Sequence, residues 1–105
     1  EVVDEADIQP LSAPVGLEIK WLVNPNPGED PDLLNNYVRY LPWRDGQPSV
    51  WIACEFSSMR NLRDYLRTER NLGRDNLYIS SYWKYGSRED VHRVAKREDA
   101  MASAL

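Results

Sequence analysis

The chain has 105 residues, 42% of them hydrophobic, with four tryptophans and six tyrosines, which is enough large apolar surface for one compact core and excludes intrinsic disorder. Its formal net charge of −4 argues against nucleic acid as the main partner, a role that needs a basic face to displace counterions. A lone cysteine, Cys54, and a lone histidine, His92, exclude an internal disulfide and a structural zinc site, and without a membrane-spanning run or a secretion signal the expected location is cytoplasmic, with no membrane insertion.

Residues 1–7 read as the end of a short strand running into an acidic turn, ahead of a loop carrying Pro10 and Pro14. Residues 16–23 alternate apolar and polar before becoming continuously apolar, which predicts a strand entering a buried sheet. A breaker-rich loop follows over residues 24–31. A helix is expected from Asp30, as cap, or Pro31, as first helical residue, with Leu33, Leu34, Tyr37, Val38 and Leu41 on its apolar face and Pro42 as its stop. Residues 49–54 are the most apolar stretch and predict a central strand covered on both faces. Ser57 or Ser58 should cap the next helix, where Met59, Leu62 and Leu66 fall at i, i+3 and i+7 and Gly73 supplies the end. Residues 76–83 predict a last strand, and residues 87–104 a charged, weakly amphipathic tail helix.

This order predicts an α/β domain with a largely parallel sheet, whose ligand edge lies outside the carboxyl ends of the strands. Those ends fall at residues 4–7, 24–27, 53–58 and 81–86.

Two of these segments carry a resemblance. Ala53, Glu55, Arg60, Leu62, Arg63 and Leu66 in one, and Tyr82, Trp83, Lys84 and Gly86 in the other, match an apolar strand ending in Ala-Gly-Glu, a helix rich in arginine and leucine, and a strand ending in Tyr-Trp with a basic residue and a glycine. As a set they resemble the carboxy-terminal domain of siderophore-interacting proteins, over residues 1–90, with residues 91–105 as an appended tail helix. The resemblance implies a three-layer, ferredoxin-reductase-like nucleotide-binding module that lacks its first strand and helix. The start at Glu1 agrees with removal of something upstream. Cys54 stands where the family has glycine, and its side chain occupies space that glycine leaves open.

The resemblance further implies a flavin-dependent reductase of ferric siderophores, using NAD(P)H, with FAD held mainly by a domain absent here. It places Ala53, Cys54, Glu55, Phe56 and Ser57 at a strand-to-helix turn that would meet a nucleotide phosphate or the nicotinamide amide; the alternative is an ordinary serine-capped turn. Asp4, Glu5 and Asp7 would accept from adenosine ribose hydroxyls and oppose a 2′-phosphate, mildly favouring NADH; the alternative is a solvated acidic turn. Trp83 and Lys84 would face the siderophore, with Arg60 from the basic stripe of Arg60, Arg63, Arg67 and Arg70 as a third contact. The rest of the stripe reads as a solvated helix face, Trp21, Trp43 and Trp51 as packing residues, Cys54 as a buried inert thiol and His92 as solvent-facing. The implied partners are a ferric siderophore and either a missing flavin-binding domain or a second chain that completes the sheet. A non-catalytic module that associates through its sheet edges is the competing function.

Overall fold

In a computed structural model, which describes residues 1–103, the chain forms two compact units, Glu1–Leu41 and Pro42–Leu105. The first unit holds a 3-10 turn, Glu5–Asp7, and one helix, α1 (Leu33–Tyr40). The second runs β1 (Val50–Glu55), α2 (Phe56–Thr68), β2 (Leu77–Trp83) and α3 (Glu89–Ser103). The small α/β architecture expected from the sequence is present, with two parallel strands and three helices in place of a larger sheet.

In the first unit the strand expected over residues 16–23 does not form. A strand needs a partner, and among the described residues Val2 alone supplies one, in a single parallel bridge to Val23: the Val2 amide donates to the Leu22 carbonyl at 2.8 Å and the Asn24 amide to the Val2 carbonyl at 2.7 Å. Leu17 and Ile19, which alternation placed on a buried face, are exposed. Asn24 is the organising side chain, buried, with Nδ2 donating to Glu1 Oε2 at 2.9 Å and to the Asp30 carbonyl at 2.7 Å. Asp30 thus takes part through its main chain, and the residue flanking α1 is Asp32, which makes no side-chain capping bond.

In the second unit α2 supplies most of the core. Phe56, Met59, Leu62, Tyr65 and Leu66 are buried, together with Leu72 from the following loop. Glu55, rather than Ser57 or Ser58, caps this helix: its Oε2 accepts from the amides of Ser57 at 2.8 Å and Ser58 at 3.0 Å. The chain leaves α2 through Asn71, at φ 57°, with the Leu72 amide bonded to the Leu66 carbonyl at 3.0 Å, so the left-handed position falls two residues before Gly73.

The sheet pairs Val50 with Leu77 through Cys54 with Ser81, then shifts so that Glu55 faces Trp83. Tyr82 is the extra residue of this irregularity, placed at the carboxyl edge where it turns the end of β2. The expected burial of β1 on both faces is not met: Trp51 is 64% exposed and stacks on its cross-strand neighbour Tyr78, rings 5.9 Å apart and 9° from parallel. Helices α2 and α3 pack on the strands, and within the second unit no described helix covers the face that carries Trp51 and Tyr78, so the expected third layer is not supplied by this unit.

Helix α3 docks through polar groups. Its inward residues include His92 and Asp99, while Val91, Val94 and Met101 face outward. His92 is therefore not solvent-facing as the sequence suggested, and the tail helix was expected to reach Ala104, which lies outside the described residues. No helix among the described residues is long and apolar enough to cross a membrane.

Candidate functional site

The carboxyl edge of the β1–β2 sheet gathers the second unit's predicted site residues. Glu55 ends β1 and Phe56 opens α2; Trp83 ends β2, and Lys84 and Tyr85 follow it. Continuity of strand and helix forces the first pair together, and the parallel register brings the second pair alongside. The remaining Glu55 oxygen, Oε1, accepts from the Tyr85 amide at 3.2 Å.

Phe56 is the centre of this edge. Its ring is buried, with Lys84 Nζ 5.1 Å and the Arg60 guanidinium carbon 5.9 Å from the centroid, and the His92 imidazole meets it nearly edge-on at 6.2 Å. The negative face of an aromatic ring holds a cation near it for about 0.5–1 kcal/mol at an exposed site, enough to bias side-chain position without quenching charge. Lys84 forms no ion pair among the described residues, whereas Arg60, 59% exposed, lies 3.3 Å from Asp99. Trp83 and Tyr85 add a tilted aromatic pair, rings 6.4 Å apart, at the exposed rim. The result is an unneutralised cation on an aromatic floor with an aromatic rim, suited to an anionic, ring-bearing ligand.

Two polar contacts hold α3. Ser81, fully buried, sits 2.9 Å from His92 Nε2. Arg63 grips Asp99 with two bonds of 2.8 Å, from Nη1 to Oδ2 and from Nη2 to Oδ1. Hydrogen bonding from Arg63 holds the Asp99 carboxyl below its ordinary value of 3.8, against the opposing effect of burial, and Asp99 in turn raises the Arg63 value. Arg63 is therefore a buried ion-pair residue and not part of a solvated stripe; Arg70 likewise lies 4.6 Å from the Trp43 ring and donates from Nε to the Tyr65 hydroxyl at 2.9 Å.

Sequence reasoning put Ser81 and Tyr85 at the ligand edge without giving either a role, read His92 as solvent-facing, and missed Asp99. The usable signal was helical spacing: His92 and Asp99 stand at i and i+7, but hydrophobic periodicity does not register a polar inward stripe.

Asp4, Glu5 and Asp7 belong to the first unit. Asp4 Oδ1 accepts from the Ala6 amide at 2.8 Å and so builds the turn that carries the other two, whose side chains are exposed.

The amides of Ser57 and Ser58 already have the Glu55 carboxylate as acceptor, so a phosphate at the start of α2 would meet a like charge. An uncharged group able both to donate and to accept would meet no such repulsion at this edge. Cys54 is half-buried and outside any disulfide, and its backbone pairs with Ser81 at the last regular position of the ladder.

Comparison with known proteins matches this arrangement to a family. The model of the siderophore-interacting protein family matches residues 1–86. Ferric vibriobactin reductase ViuB of Vibrio cholerae is 34% identical over 94 residues, covering 88% of this chain and 34% of that protein. Uncharacterized protein Rv2895c of Mycobacterium tuberculosis is 34% identical over 114 residues, covering 99% of this chain and 40% of its own length. The crystal structure of the siderophore-interacting protein SipS from Aeromonas hydrophila superposes with a TM-score of 0.77 at 27% identity, covering 95% of this chain and 39% of that one. The chain thus spans about a third to two-fifths of the length of these relatives.

Proposed function

Because the chain belongs to the siderophore-interacting protein family, we propose that it supplies the nicotinamide side and part of the siderophore-facing surface of a flavin-dependent, cytoplasmic NAD(P)H:ferric-siderophore oxidoreductase that releases iron by reduction. Bound cofactors would supply the redox chemistry, hydride transfer from NAD(P)H and one-electron release from FAD, the latter bound mainly by another domain. This chain's work is then to bind and orient. Ala53 and Cys54 line the approach of the nicotinamide ring, and Glu55, Phe56 and Ser57 form the turn that orders its carboxamide. Asp4, Glu5 and Asp7, on their exposed turn, are the proposed acceptors for adenosine ribose hydroxyls, with NADH preferred over NADPH by charge. Trp83, Lys84 and Arg60 face the ferric siderophore. Residues 1–90 are the proposed family part, with residues 91–105 appended.

The observation that carries this reading is Lys84: a cation without an ion pair among the described residues, held over Phe56 beside Trp83 at the carboxyl edge of the sheet. Anionic chelate oxygens provide the missing counter-charge, and the rim aromatics provide a surface for ligand rings. The test is NADH-driven iron release from a ferric siderophore by this chain joined to a flavin-binding domain, followed with a ferrous-iron chromophore. Lys84→Met should raise KM for the chelate about tenfold while leaving kcat within about twofold, the pattern of lost ground-state binding. Iron release that ignores the presence of this chain would overturn the proposal.

A second reading is favoured by the open sheet. Among the described residues the two parallel strands leave both outer edges unpaired, and Trp51 and Tyr78 are exposed on one face. Parallel sheets are seldom left so, which supports association with a flavin-binding domain or with a second chain. Light scattering of the purified chain separates the two readings, since self-association independent of nucleotide supports the interaction module.

A further inference from the structure

Glu55 stands in the stretch proposed to meet the nicotinamide, yet its carboxylate already serves the chain itself. Oε2 accepts from the amides of Ser57 and Ser58 at the start of α2, and Oε1 accepts from the amide of Tyr85 beyond the end of β2. Three main-chain donors from two elements therefore converge on one side chain. We infer that Glu55 is a positioning residue, a clasp that fixes the turn after β2 against the start of α2 and so sets Lys84 over Phe56; the inference rests on the proposed chelate-binding role of Lys84.

The turn itself shows why a clasp matters. The Ser87 amide bonds to the Lys84 carbonyl at 3.0 Å, and Gly86 takes φ 74°, the left-handed third position that such a four-residue turn uses. That bond closes the turn but leaves its orientation relative to the sheet open. Regular pairing cannot fix the orientation, because the register shifts at Cys54/Glu55 and the ladder ends at Trp83. Tyr85 is exposed, and the Glu55 bond is the link from its amide to the opposite strand end. Lys84 and Phe56 are each one residue from an anchored position, Tyr85 and Glu55, so the Nζ-to-ring distance of 5.1 Å is set through the clasp. A carboxylate is suited to this, since it offers two acceptor oxygens and charge-assisted bonds stronger than neutral ones.

Glu55→Ala, Glu55→Gln and Lys84→Met should be compared in the full chain by amide hydrogen exchange and by titration with the gallium(III) complex of a tris-catecholate siderophore. Glu55→Ala should expose the Tyr85 amide to exchange about tenfold faster and weaken chelate binding by about tenfold. Glu55→Gln keeps one oxygen acceptor and a closely similar shape, so it should restore part of both. Lys84→Met should lose chelate affinity with Tyr85 protection unchanged. Unaltered Tyr85 exchange in Glu55→Ala, with circular dichroism confirming that α2 is intact, overturns the clasp. Unaltered chelate affinity in that variant overturns its role in setting Lys84. A wild-type chain that protects Tyr85 but binds no chelate refutes the role assigned to Lys84, and with it the purpose of the clasp, while leaving the clasp itself standing as a structural feature.

Discussion

Asp99→Ala removes the carboxylate that receives both terminal nitrogens of Arg63. The two side chains are 11% and 9% exposed, so the substitution strands a guanidinium in the contact between α2 and α3. Truncating one partner of a buried pair costs about 3–5 kcal/mol, mostly from the charge left behind. The lower end applies here, because Asp64 also acts favourably on Arg63 and the exposed Arg60 contact to Asp99 adds little. For a domain of this size about 3 kcal/mol lowers Tm by roughly 12–24 °C. The assay is thermal unfolding followed by circular dichroism, repeated across pH. The Asp99 carboxyl titrates lower in the folded chain than its ordinary value of 3.8, so its stabilisation is complete above that value and lost as pH falls through the lowered one. Wild type and variant should therefore differ at neutral pH and converge in acid. A variant melting within about 3 °C of wild type at pH 7, or a gap that persists unchanged in strong acid, would refute the reasoning.

Three further outcomes follow from the same structure. Ser81→Ala leaves the buried His92 ring nitrogen without its hydroxyl partner and should cost about 1–3 kcal/mol, read from urea unfolding midpoints at pH 8, while Ser81→Thr should keep the hydroxyl at the expense of packing. Leu62, fully buried on α2, should cost about 2–5 kcal/mol as Leu62→Ala in the same assay, whereas the exposed Val94→Ala should change stability by less than about 0.5 kcal/mol. At Gly86 an added Cβ meets nothing within 4 Å, so Gly86→Ala should cost only the strain of its positive φ, about 1–2 kcal/mol, with no steric component.

The elements with local causes were legible in the sequence. Met59, Leu62 and Leu66 do form the inward face of α2, and β1 and β2 fall within a residue of their expected bounds, because apolar spacing and apolar runs report directly on burial. Residues 16–23 carry an equally good strand pattern and form no strand, since pairing depends on partners that local pattern does not contain. Trp51 was misplaced in the core for the same reason: an apolar run indicates a coverable strand, and what covers it is a property of the rest of the fold. At the edge, the strand ends expected at residues 53–58 and 81–86 put Glu55, Phe56, Trp83 and Lys84 on one side of the sheet, but the Glu55 bond to Tyr85 spans 30 residues and depends on a register shift that no spacing rule foretells. Helix α3 shows the opposite failure. It read as a charged, weakly amphipathic tail, and its ion pair and buried histidine made the packed face while Val91 and Val94 stayed exposed.

The central claim, that this chain carries the nicotinamide side and a siderophore-facing cation, is tested most directly by one amide-shift titration of the full chain, with NADH and then the gallium(III) tris-catecholate complex, after light scattering has fixed the assembly in solution. The account predicts NADH-dependent shifts over residues 4–7 and 53–57, a weaker response to NADPH, and chelate-dependent shifts at Arg60, Trp83 and Lys84. A well-dispersed spectrum that ignores both ligands would contradict it.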